Sequence, residues 1–324
     1  MQALLTVLSG VSATVPILVF LYLIWWLDRY DREPVAVLLG TFAWGATGAV
    51  LLSLILSTIL LGILSSVVSP VTAGSVGAVV IAPLIEEPMK ALVLIPLCLR
   101  RDFDNTTDGF VYGAAAGLGF GMTENFLYFL DSASTGDLGV WMSTVAIRTL
   151  YSALMHAGAT SVVGAALGLA KFRGPLFKAL AIPAGLVLAM GIHALWNGLL
   201  TLDSVAGTGG ALTMLNLLLF PLEFLALFVV LQVCLWDERK TIHRELSDEV
   251  ISGLIPPDDV PMLASYFARQ RRDWLPAGVD HHAYVRAATT LAFRKHQARA
   301  SGDRSYEADA QAMRAEIHRL LAPA

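Results

Sequence analysis

Long apolar runs dominate this sequence and restrict the folds that are open to it. A helix needs about 20 apolar residues to cross the roughly 30 Å hydrocarbon core of a bilayer, because it rises about 1.5 Å per residue. Seven runs have this length, at approximately residues 4–26, 35–64, 76–99, 109–129, 140–170, 179–200 and 212–236. With a mean hydropathy of +0.65 and only 15% charged residues, the sequence predicts an all-α membrane protein with seven transmembrane helices.

Basic residues in the short loops predict the orientation of these helices, because such residues favour the cytoplasmic side. They fall in alternate connectors, at Arg29, Arg32, Arg100, Arg101, Lys171, Arg173 and Lys178. The intervening loops 65–75, 131–139 and 201–210 contain neither Lys nor Arg. We therefore expect the N-terminus outside and the chain after Trp236 in the cytoplasm. The first run lacks a basic leader, so we expect it to remain as a span rather than to be removed.

Residues 237–324 differ in composition from the rest and form a second predicted domain. They hold 13 of the 22 Lys and Arg residues and 13 of the 26 Asp and Glu residues. Their helix-favouring segments are separated by proline and glycine, and lie at about 238–253, 259–272, 281–300 and 303–321. We divide the chain into a membrane domain, residues 1–236, and a small cytoplasmic helical tail domain, residues 237–324, for which the sequence indicates no chemistry.

Charge and motif content exclude several classes of protein. The formal net charge is −4 and no basic stripe stands out, which argues against a nucleic-acid partner. Cys98 and Cys234 belong to no CxxC or metal-ligand spacing, so we expect free thiols. No serine or cysteine lies in a nucleophile motif such as GxSxG, which disfavours covalent catalysis.

The third apolar run carries two adjacent carboxylates and an ammonium group, at Glu86, Glu87 and Lys90. Charges at the centre of a spanning helix cost roughly 2.5–3.5 kcal/mol each, so they tend to mark ion pathways, proton relays or catalytic sites. On a helix Lys90 can pair with either glutamate, at i+3 or i+4. One glutamate is then left over as a candidate general base or acid. The alternative is a structural ion pair between packed helices.

Further polar residues lie in the neighbouring predicted spans, at Glu124, Asn125, Arg148, His156, His193, Asn197 and Glu223. At about 1.5 Å per residue, four different helices bring such groups to a shared zone between the midplane and the outer half of the membrane. Structural polar residues would rarely gather two histidines, three carboxylates and a carboxamide at neighbouring depths, so we predict one joint site. We expect Glu223, beside Pro221, to be structural or an isolated proton site.

A site of this composition can activate water in two ways. A carboxylate can deprotonate water while histidine relays the proton and other groups donate hydrogen bonds to an oxyanion. Alternatively, His156, His193 and one of Glu86, Glu87 or Glu124 match the ligand set of a catalytic zinc. The sequence leaves both open. Our preferred hypothesis requires no cofactor, and zinc is the alternative.

These residues resemble the motifs of the PrsW family of intramembrane proteases, which is distantly similar to the CAAX-processing and Abi-type membrane proteases. The similarity covers about residues 28–200 and does not include the tail. Its motifs are Asp31-x-Glu33-Pro34, Glu86-Glu87-x-x-Lys90, Gly117-x-Gly-Phe-x-x-x-Glu124-Asn125-x-x-Tyr128, Arg148 through His156, and His193-x-x-x-Asn197. Where CAAX-type relatives carry FxxxH, this chain has Phe120-x-x-x-Glu124, so His156 is the candidate for the role of that histidine.

The resemblance implies cleavage of single-span membrane proteins, notably anti-sigma factors, with Glu86 and Glu87 at the core of the site and the two histidines in support. We hypothesise a bacterial inner-membrane endopeptidase in which one of the two glutamates activates water. His156 would assist, and His193 with Asn197 would polarise the scissile carbonyl. Supporting roles fall to Lys90, which would hold the glutamate pair in place, and to Asn125, Tyr128 and Arg148.

Two other functions remain open at this point. A proton- or cation-coupled transporter could use the intramembrane glutamates as a relay, although no inverted repeat relates the two halves of the chain. A scaffold whose tail recruits a partner would require the tail rather than the glutamates. The sequence predicts the lipid bilayer and a single-span substrate as partners, and it specifies neither the oligomeric state nor which glutamate is the base.

Overall fold

A computed structural model describes residues 2–322 of the chain. This part of the chain is helical throughout, without β-strands. Its α-helices are α1 (Gln2–Leu27), α2 (Val35–Trp44), α3 (Val50–Ser65), α4 (Pro70–Val76), α5 (Ala82–Ala91), α6 (Leu94–Cys98), α7 (Thr106–Ser134), α8 (Leu138–Ile147), α9 (Ala153–Ala170), α10 (Pro175–Ala206), α11 (Ala211–Ile251), α12 (Asp259–Leu263), α13 (His281–Ser301) and α14 (Arg304–Leu321).

Five helical segments are long and apolar enough to cross a membrane, which supports a multi-pass membrane protein. They are Gln2–Leu27, Val35–Ser65, Leu138–Ala170, Pro175–Ala206 and Ala211–Ile251. The other two predicted spans correspond to α4–α6, a succession of short helices, and to α7, which is long but rich in glycine and polar residues. The count of seven spans, the external N-terminus and the cytoplasmic tail remain predictions.

Three π-helical turns interrupt the long helices, at Gly45–Ala49, Gly77–Ile81 and Arg148–Ser152. The first joins α2 to α3, the second leads into α5, and the third joins α8 to α9. A further break follows α5 at Leu92 and Val93. Pro96 accounts for it, because a proline lacks the N–H that would bond the carbonyl four residues earlier, and its ring clashes with that carbonyl.

The chain divides into two compact units. The first comprises the chain up to Leu27 and residues 33–229, and the second comprises Asp28–Arg32 and the chain from Val230 onward. The division along α11 therefore falls at residues 229/230, near the boundary at 236/237 that composition suggests.

Helix α7 has the longest continuous buried stretch of the first unit, because every residue from Thr107 to Gly121 is buried. Its N-terminus carries a capping box made by Asn105 and Asp108. The glycines along α7 allow its backbone to touch α9: a Cβ at Gly113 would lie 2.4 Å from the carbonyl oxygen of Thr160. Gly109, Gly117 and Gly121 face α9 in the same way. The four-residue glycine repeat is thus a packing surface, as its spacing predicts.

The second unit contains the last part of α11 together with α12, α13 and α14. Within this unit Tyr30 is buried, its hydroxyl donates to Ala264 O at 3.1 Å, and Arg269 donates to Tyr30 O at 3.2 Å. The two helices predicted at 212–236 and 238–253 are one continuous helix, α11.

The helix predicted at 259–272 is wrong in length. Only Asp259–Leu263 is α-helical, and a short 3-10 turn follows at Ala268–Gln270. Ser265 explains the interruption, because its hydroxyl accepts from the N–H of Ala268 at 3.4 Å and so begins a new turn. The predicted helices at 281–300 and 303–321 correspond to α13 and α14, and Asp303 caps α14 through Ser305 N at 2.8 Å.

Candidate active site

Four helices of the first unit bring charged and imidazole side chains into one cluster. Helix α5 supplies Glu86, Glu87 and Lys90, and α7, α9 and α10 supply one residue or more each. The cluster consists of Glu86, Glu87, Lys90, Glu124, His156 and His193. These six of the residues that the sequence predicts to share a zone are therefore linked by contacts in one cluster.

Glu87 is fully enclosed and has a partner on each carboxylate oxygen. Lys90 Nζ lies 2.7 Å from Glu87 Oε1, and both side chains are 0% exposed. His193 Nδ1 contacts the same oxygen at 2.8 Å. Thr160 Oγ1 donates to Glu87 Oε2 at 3.1 Å. Of the two pairings that the helical spacing allows, the i+3 pair between Glu87 and Lys90 is the closer one and the one with a hydrogen bond.

Glu86 is the carboxylate that is left over. Its Oε2 atom lies 3.7 Å from Lys90 Nζ and 3.9 Å from His193 Nε2, which are contacts between charges rather than hydrogen bonds. Among the described residues, this buried oxygen has no hydrogen-bond partner. The Glu86 side chain is 15% exposed, so it is reachable in a way that Glu87 is not.

His156 bridges the two halves of the cluster. Its Nδ1 lies 2.8 Å from Lys90 Nζ, and its Nε2 lies 2.6 Å from Glu124 Oε2. Because an ammonium group only donates, Nδ1 must accept and Nε2 must carry the proton that Glu124 receives as a hydrogen bond. The Phe120 ring supports this arrangement, with Lys90 Nζ 4.2 Å from its centroid.

Arg148 holds Glu124 from the other side. The guanidinium Nη2 lies 2.9 Å from Glu124 Oε2, and the guanidinium carbon stands 3.6 Å from the centroid of the Tyr128 ring. Asn125 makes two hydrogen bonds to the same arginine: it accepts one from Arg148 Nε and donates one to Arg148 O, both at 3.2 Å. Glu124, Asn125, Tyr128 and Arg148 therefore form one connected group beside His156.

Two polar residues of the predicted spans, Asn197 and Glu223, lie outside the cluster. Asn197, one turn beyond His193 on α10, directs its amide Nδ2 to the backbone carbonyl of Ala78 at 2.9 Å. One hydrogen of that amide is thus used inside the protein. Glu223, on α11, makes no ion pair with the cluster among the described residues, and its Oε1 has no hydrogen-bond partner there.

The charges of the cluster nearly balance. Three carboxylates, Glu86, Glu87 and Glu124, face two permanent cations, Lys90 and Arg148. One negative charge remains, and a buried uncompensated charge is strongly unfavourable. A single additional proton neutralises the site. Glu86 and His193, 3.9 Å apart, are the groups in position to carry or exchange that proton.

Sequence reasoning missed one member of the site, Thr160. It is fully buried and donates to Glu87. Its position four residues after His156 was the available signal, because residues at i and i+4 share a helix face. A hydroxyl is common on glycine-rich packing surfaces, so this spacing alone does not separate a site residue from a packing residue.

The comparison with known families decides the identity. A family model described as "PrsW family intramembrane metalloprotease" matches residues 33–231. The chain belongs to the PrsW family. Protease PrsW of Clostridioides difficile (strain 630) is 30% identical over 179 residues, covering 53% of this chain and 72% of that protein. Protease PrsW of Bacillus subtilis (strain 168) is 27% identical over 197 residues, covering 60% and 81% respectively.

Membership of the PrsW family makes this chain a membrane protease and does not favour the transporter alternative. Every residue of the cluster lies inside the matched region. Most of the second unit, from residue 232 onward, lies outside it. No solved structure matches the chain.

The PrsW family is described as metalloproteases, and the donor atoms present fit a zinc ion in kind and proximity. Ligand atoms of Glu86, His156 and His193 lie within 4.8 Å of one another. Two histidines and a carboxylate are a known catalytic zinc set. Glu86 Oε2 is free of hydrogen bonds, and Glu87 fixes His193 through Nδ1, which leaves Nε2 for a metal. His156 could join only by giving up its hydrogen bond to Lys90.

Proposed function

We propose that this PrsW family member is an endopeptidase that hydrolyses a peptide bond of a single-span membrane protein, with water activated by Glu86. The observation that carries the proposal is the contrast between the two adjacent glutamates. Both carboxylate oxygens of Glu87 are engaged in hydrogen bonds, with Lys90, His193 and Thr160 as partners. In contrast, Glu86 Oε2 has no hydrogen-bond partner among the described residues. A general base needs a carboxylate oxygen whose lone pair is not already used in a hydrogen bond.

Hydrolysis requires a proton acceptor, a nucleophile and a donor for the developing oxyanion. In the proposed step, the Glu86 carboxylate takes a proton from water, and the oxygen of that water forms a bond to the carbonyl carbon. The electron pair of the C=O bond moves to oxygen. Glu86 then returns the proton to the amide nitrogen as the C–N bond breaks, giving a free carboxyl end and a free amine.

His193 is placed to stabilise the oxyanion. Its Nδ1 contacts Glu87 at 2.8 Å, while Nε2 faces Glu86 at 3.9 Å. In the proposed step the additional proton that balances the cluster is placed on His193, so that the imidazole donates at both nitrogens. Nε2 would then donate to the scissile carbonyl while Glu86 stays ionised for water. Charge-assisted donors of this kind stabilise a developing negative charge strongly in a low-dielectric site.

The remaining residues hold these two groups in place. Lys90 pairs with Glu87 and donates to His156, so the ammonium fixes the helix that carries Glu86. Through His156 and Glu124 the network extends to Arg148. We assign His156 an assisting role in the network rather than the role of base, because both of its nitrogens are occupied.

A zinc-dependent version is the second candidate, and the proximity of Glu86, His156 and His193 favours it. These three residues would hold the ion. Zinc, when bound, supplies a Lewis acid that polarises a carbonyl and activates water. The protein groups around it would keep their tasks, with Glu87 orienting His193 and Glu124 orienting His156.

We propose that this chain is a protein of the bacterial cytoplasmic membrane. An apolar substrate helix would reach its active site from the bilayer. A carboxylate group inside an apolar bundle suits a substrate that is itself a membrane span. The family resemblance suggests anti-sigma-factor-like proteins as the substrate class.

The experiment that tests this function is cleavage of a panel of tagged single-span membrane proteins by the purified full-length enzyme in detergent. We expect wild type to cut at least one member and Glu86→Gln to cut none. Glu223→Gln is the matched control and should keep the wild-type rate, since it removes another carboxylate of the apolar helices that makes no ion pair with the cluster among the described residues. Cleavage by Glu86→Gln at the wild-type rate would overturn the assignment.

A further inference from the structure

Each π-helical turn of this protein has a backbone carbonyl that accepts a hydrogen bond from a side chain of another helix. The three pairs are Thr123 Oγ1 to Ala46 O at 2.8 Å, Asn125 Nδ2 to Arg148 O at 3.2 Å, and Asn197 Nδ2 to Ala78 O at 2.9 Å. π-helical turns are rare in proteins overall, but those that occur are often found at functional sites. Two of these turns lead directly into the helices that carry Glu86 and His156.

The turn Gly77–Ile81 changes which backbone N–H is available to the carbonyl of Ala78. In a regular helix the carbonyl of Ala78 would receive the N–H of Ala82, but that N–H bonds to Gly77 O. The next residue, Pro83, has no N–H to offer. Ala78 O is therefore left without a backbone donor, in a part of the protein where water is scarce. The side-chain amide of Asn197 donates a hydrogen bond to this carbonyl instead.

Asn197 is also placed to transmit this contact to the site. It lies one turn from His193 on α10, and His193 contacts Glu87 at 2.8 Å. Helix α10 thus binds the same stretch of chain at two points, the π turn through Asn197 and Glu87 through His193. A change in the π turn would move Glu86 and Glu87 relative to the imidazole.

We propose that Asn197 is a positioning residue: its amide makes the hydrogen bond that Pro83 cannot make and so fixes the turn that sets Glu86 against His193. This inference rests on the proposed function for its kinetic consequence. It differs from the sequence-based hypothesis, in which the Asn197 amide donates directly to the scissile carbonyl.

A double-mutant cycle between Asn197 and Pro83 separates the two roles. We expect Asn197→Ala to lower kcat by about 10- to 100-fold, the scale on which small displacements of reacting groups act, with little change in KM. Pro83→Ala restores a backbone N–H beside Ala78 O, so Asn197→Ala should cost much less in that background. Equal losses in both backgrounds, or an unchanged kcat in Asn197→Ala, would overturn the proposal.

Asn216 provides the matched control, because its Nδ2 also donates across helices to a carbonyl, that of Trp196, at 3.0 Å. Trp196 lies inside the regular helix α10 rather than in a π turn. Asn216→Ala removes a comparable hydrogen bond and should leave kcat within about 2-fold of wild type. A loss as large as that of Asn197→Ala would assign the effect to general packing and would contradict the positioning role.

Hydrogen–deuterium exchange of peptides covering residues 77–87 is a second measurement that needs no substrate. Loss of the Asn197 amide should raise exchange in this segment, whereas a purely substrate-binding asparagine would leave exchange unchanged. Unchanged exchange would overturn the proposal even if Pro83→Ala alone proves inactive. Failure of wild type to cleave any substrate would instead count against the proposed function, while the exchange result would still decide the role of Asn197.

Discussion

At the scale of single residues, the two adjacent glutamates differ because a helix turns 100° between them. One side chain then points to the α9–α10 interface, and the other points to the edge of the cluster. Glu87 is 0% exposed and has three partners, while Glu86 is 15% exposed and has one oxygen without a hydrogen-bond partner in residues 2–322. The same two carboxylates thus separate into a structural member and a reactive member, as environments commonly separate paired acids.

Removal of the Lys90 ammonium tests the structural half of this division. Lys90→Met leaves Glu87 buried without its ion-pair partner, and breaking one half of a buried pair costs about 3–5 kcal/mol. We expect a lower unfolding midpoint in detergent and loss of cleavage. Lys178→Met, at an exposed position, is the control and should match wild type. A Lys90→Met protein as stable as wild type would show that Glu87 does not depend on this ion pair.

The sequence predicted which residues gather but not how they pair. Spacing alone allows Lys90 to meet either glutamate, and only the approach of His193 and Thr160 from other helices selects Glu87. The partner of Asn197 was likewise unpredictable. It depends on a carbonyl that Pro83 leaves open and on the distance between two helices that are far apart in the chain.

At the scale of helices, the contact between α7 and α9 determines where His156 and Thr160 stand. A Cβ at Gly113 would lie 2.4 Å from Thr160 O, so the helices would have to move apart to accept any side chain. We expect Gly113→Ala to destabilise the protein by about 1–3 kcal/mol and to lower kcat. Thermal unfolding in detergent and cleavage rates measure the two effects.

Gly62 is the matched control for this substitution, because a Cβ there would meet nothing within 4 Å. Gly62→Ala on α3 should be neutral or slightly stabilising, since alanine favours a helix over glycine. Equal effects of Gly113→Ala and Gly62→Ala would contradict the role of α7 as a close-packed surface.

Helix positions were predicted well in runs of uniformly high hydropathy and less well in the run that contains charged residues and prolines. Five of the seven predicted runs correspond to helical segments long enough to cross a membrane. The run that carries Glu86 is divided into shorter helices by a π turn and by the break before Pro96. These interruptions depend on prolines and on side chains supplied by other helices, which a hydropathy pattern does not include.

At the scale of the whole molecule, the PrsW match and the first compact unit largely coincide. The match covers residues 33–231, and the unit includes residues 33–229. The candidate active site therefore belongs to the first unit. The second unit has its own interior, in which Arg269 is buried against Tyr30.

Arg269→Ala tests the integrity of the second unit. Arg269 is 8% exposed and donates to Tyr30 O, so its loss should cost about 1–3 kcal/mol and increase cleavage of this unit by an added protease. Arg271, whose side chain is 66% exposed and pairs with Asp273 at the surface, is the control. Similar protease sensitivity for both variants would refute the packing role of Arg269.

The predicted orientation rests on the basic residues of the loops and has a direct test. We expect protease added to inside-out membrane vesicles to digest the C-terminal unit, and protease added to right-side-out vesicles to leave it intact. An introduced tag in the loop 131–139 should show the opposite pattern. Digestion of the C-terminal unit in right-side-out vesicles would contradict its predicted cytoplasmic location.

The central claim is that Glu86 activates water for peptide hydrolysis. Its most direct test is the initial rate of cleavage of one single-span substrate by purified wild type and Glu86→Gln, each measured after exposure to a zinc chelator. We predict that wild type keeps its rate and that Glu86→Gln, folded like wild type, falls by at least about 100-fold. A Glu86→Gln enzyme that cleaves at the wild-type rate would contradict the claim, and wild-type activity that is lost on chelation and restored by zinc would replace it with the zinc-dependent version.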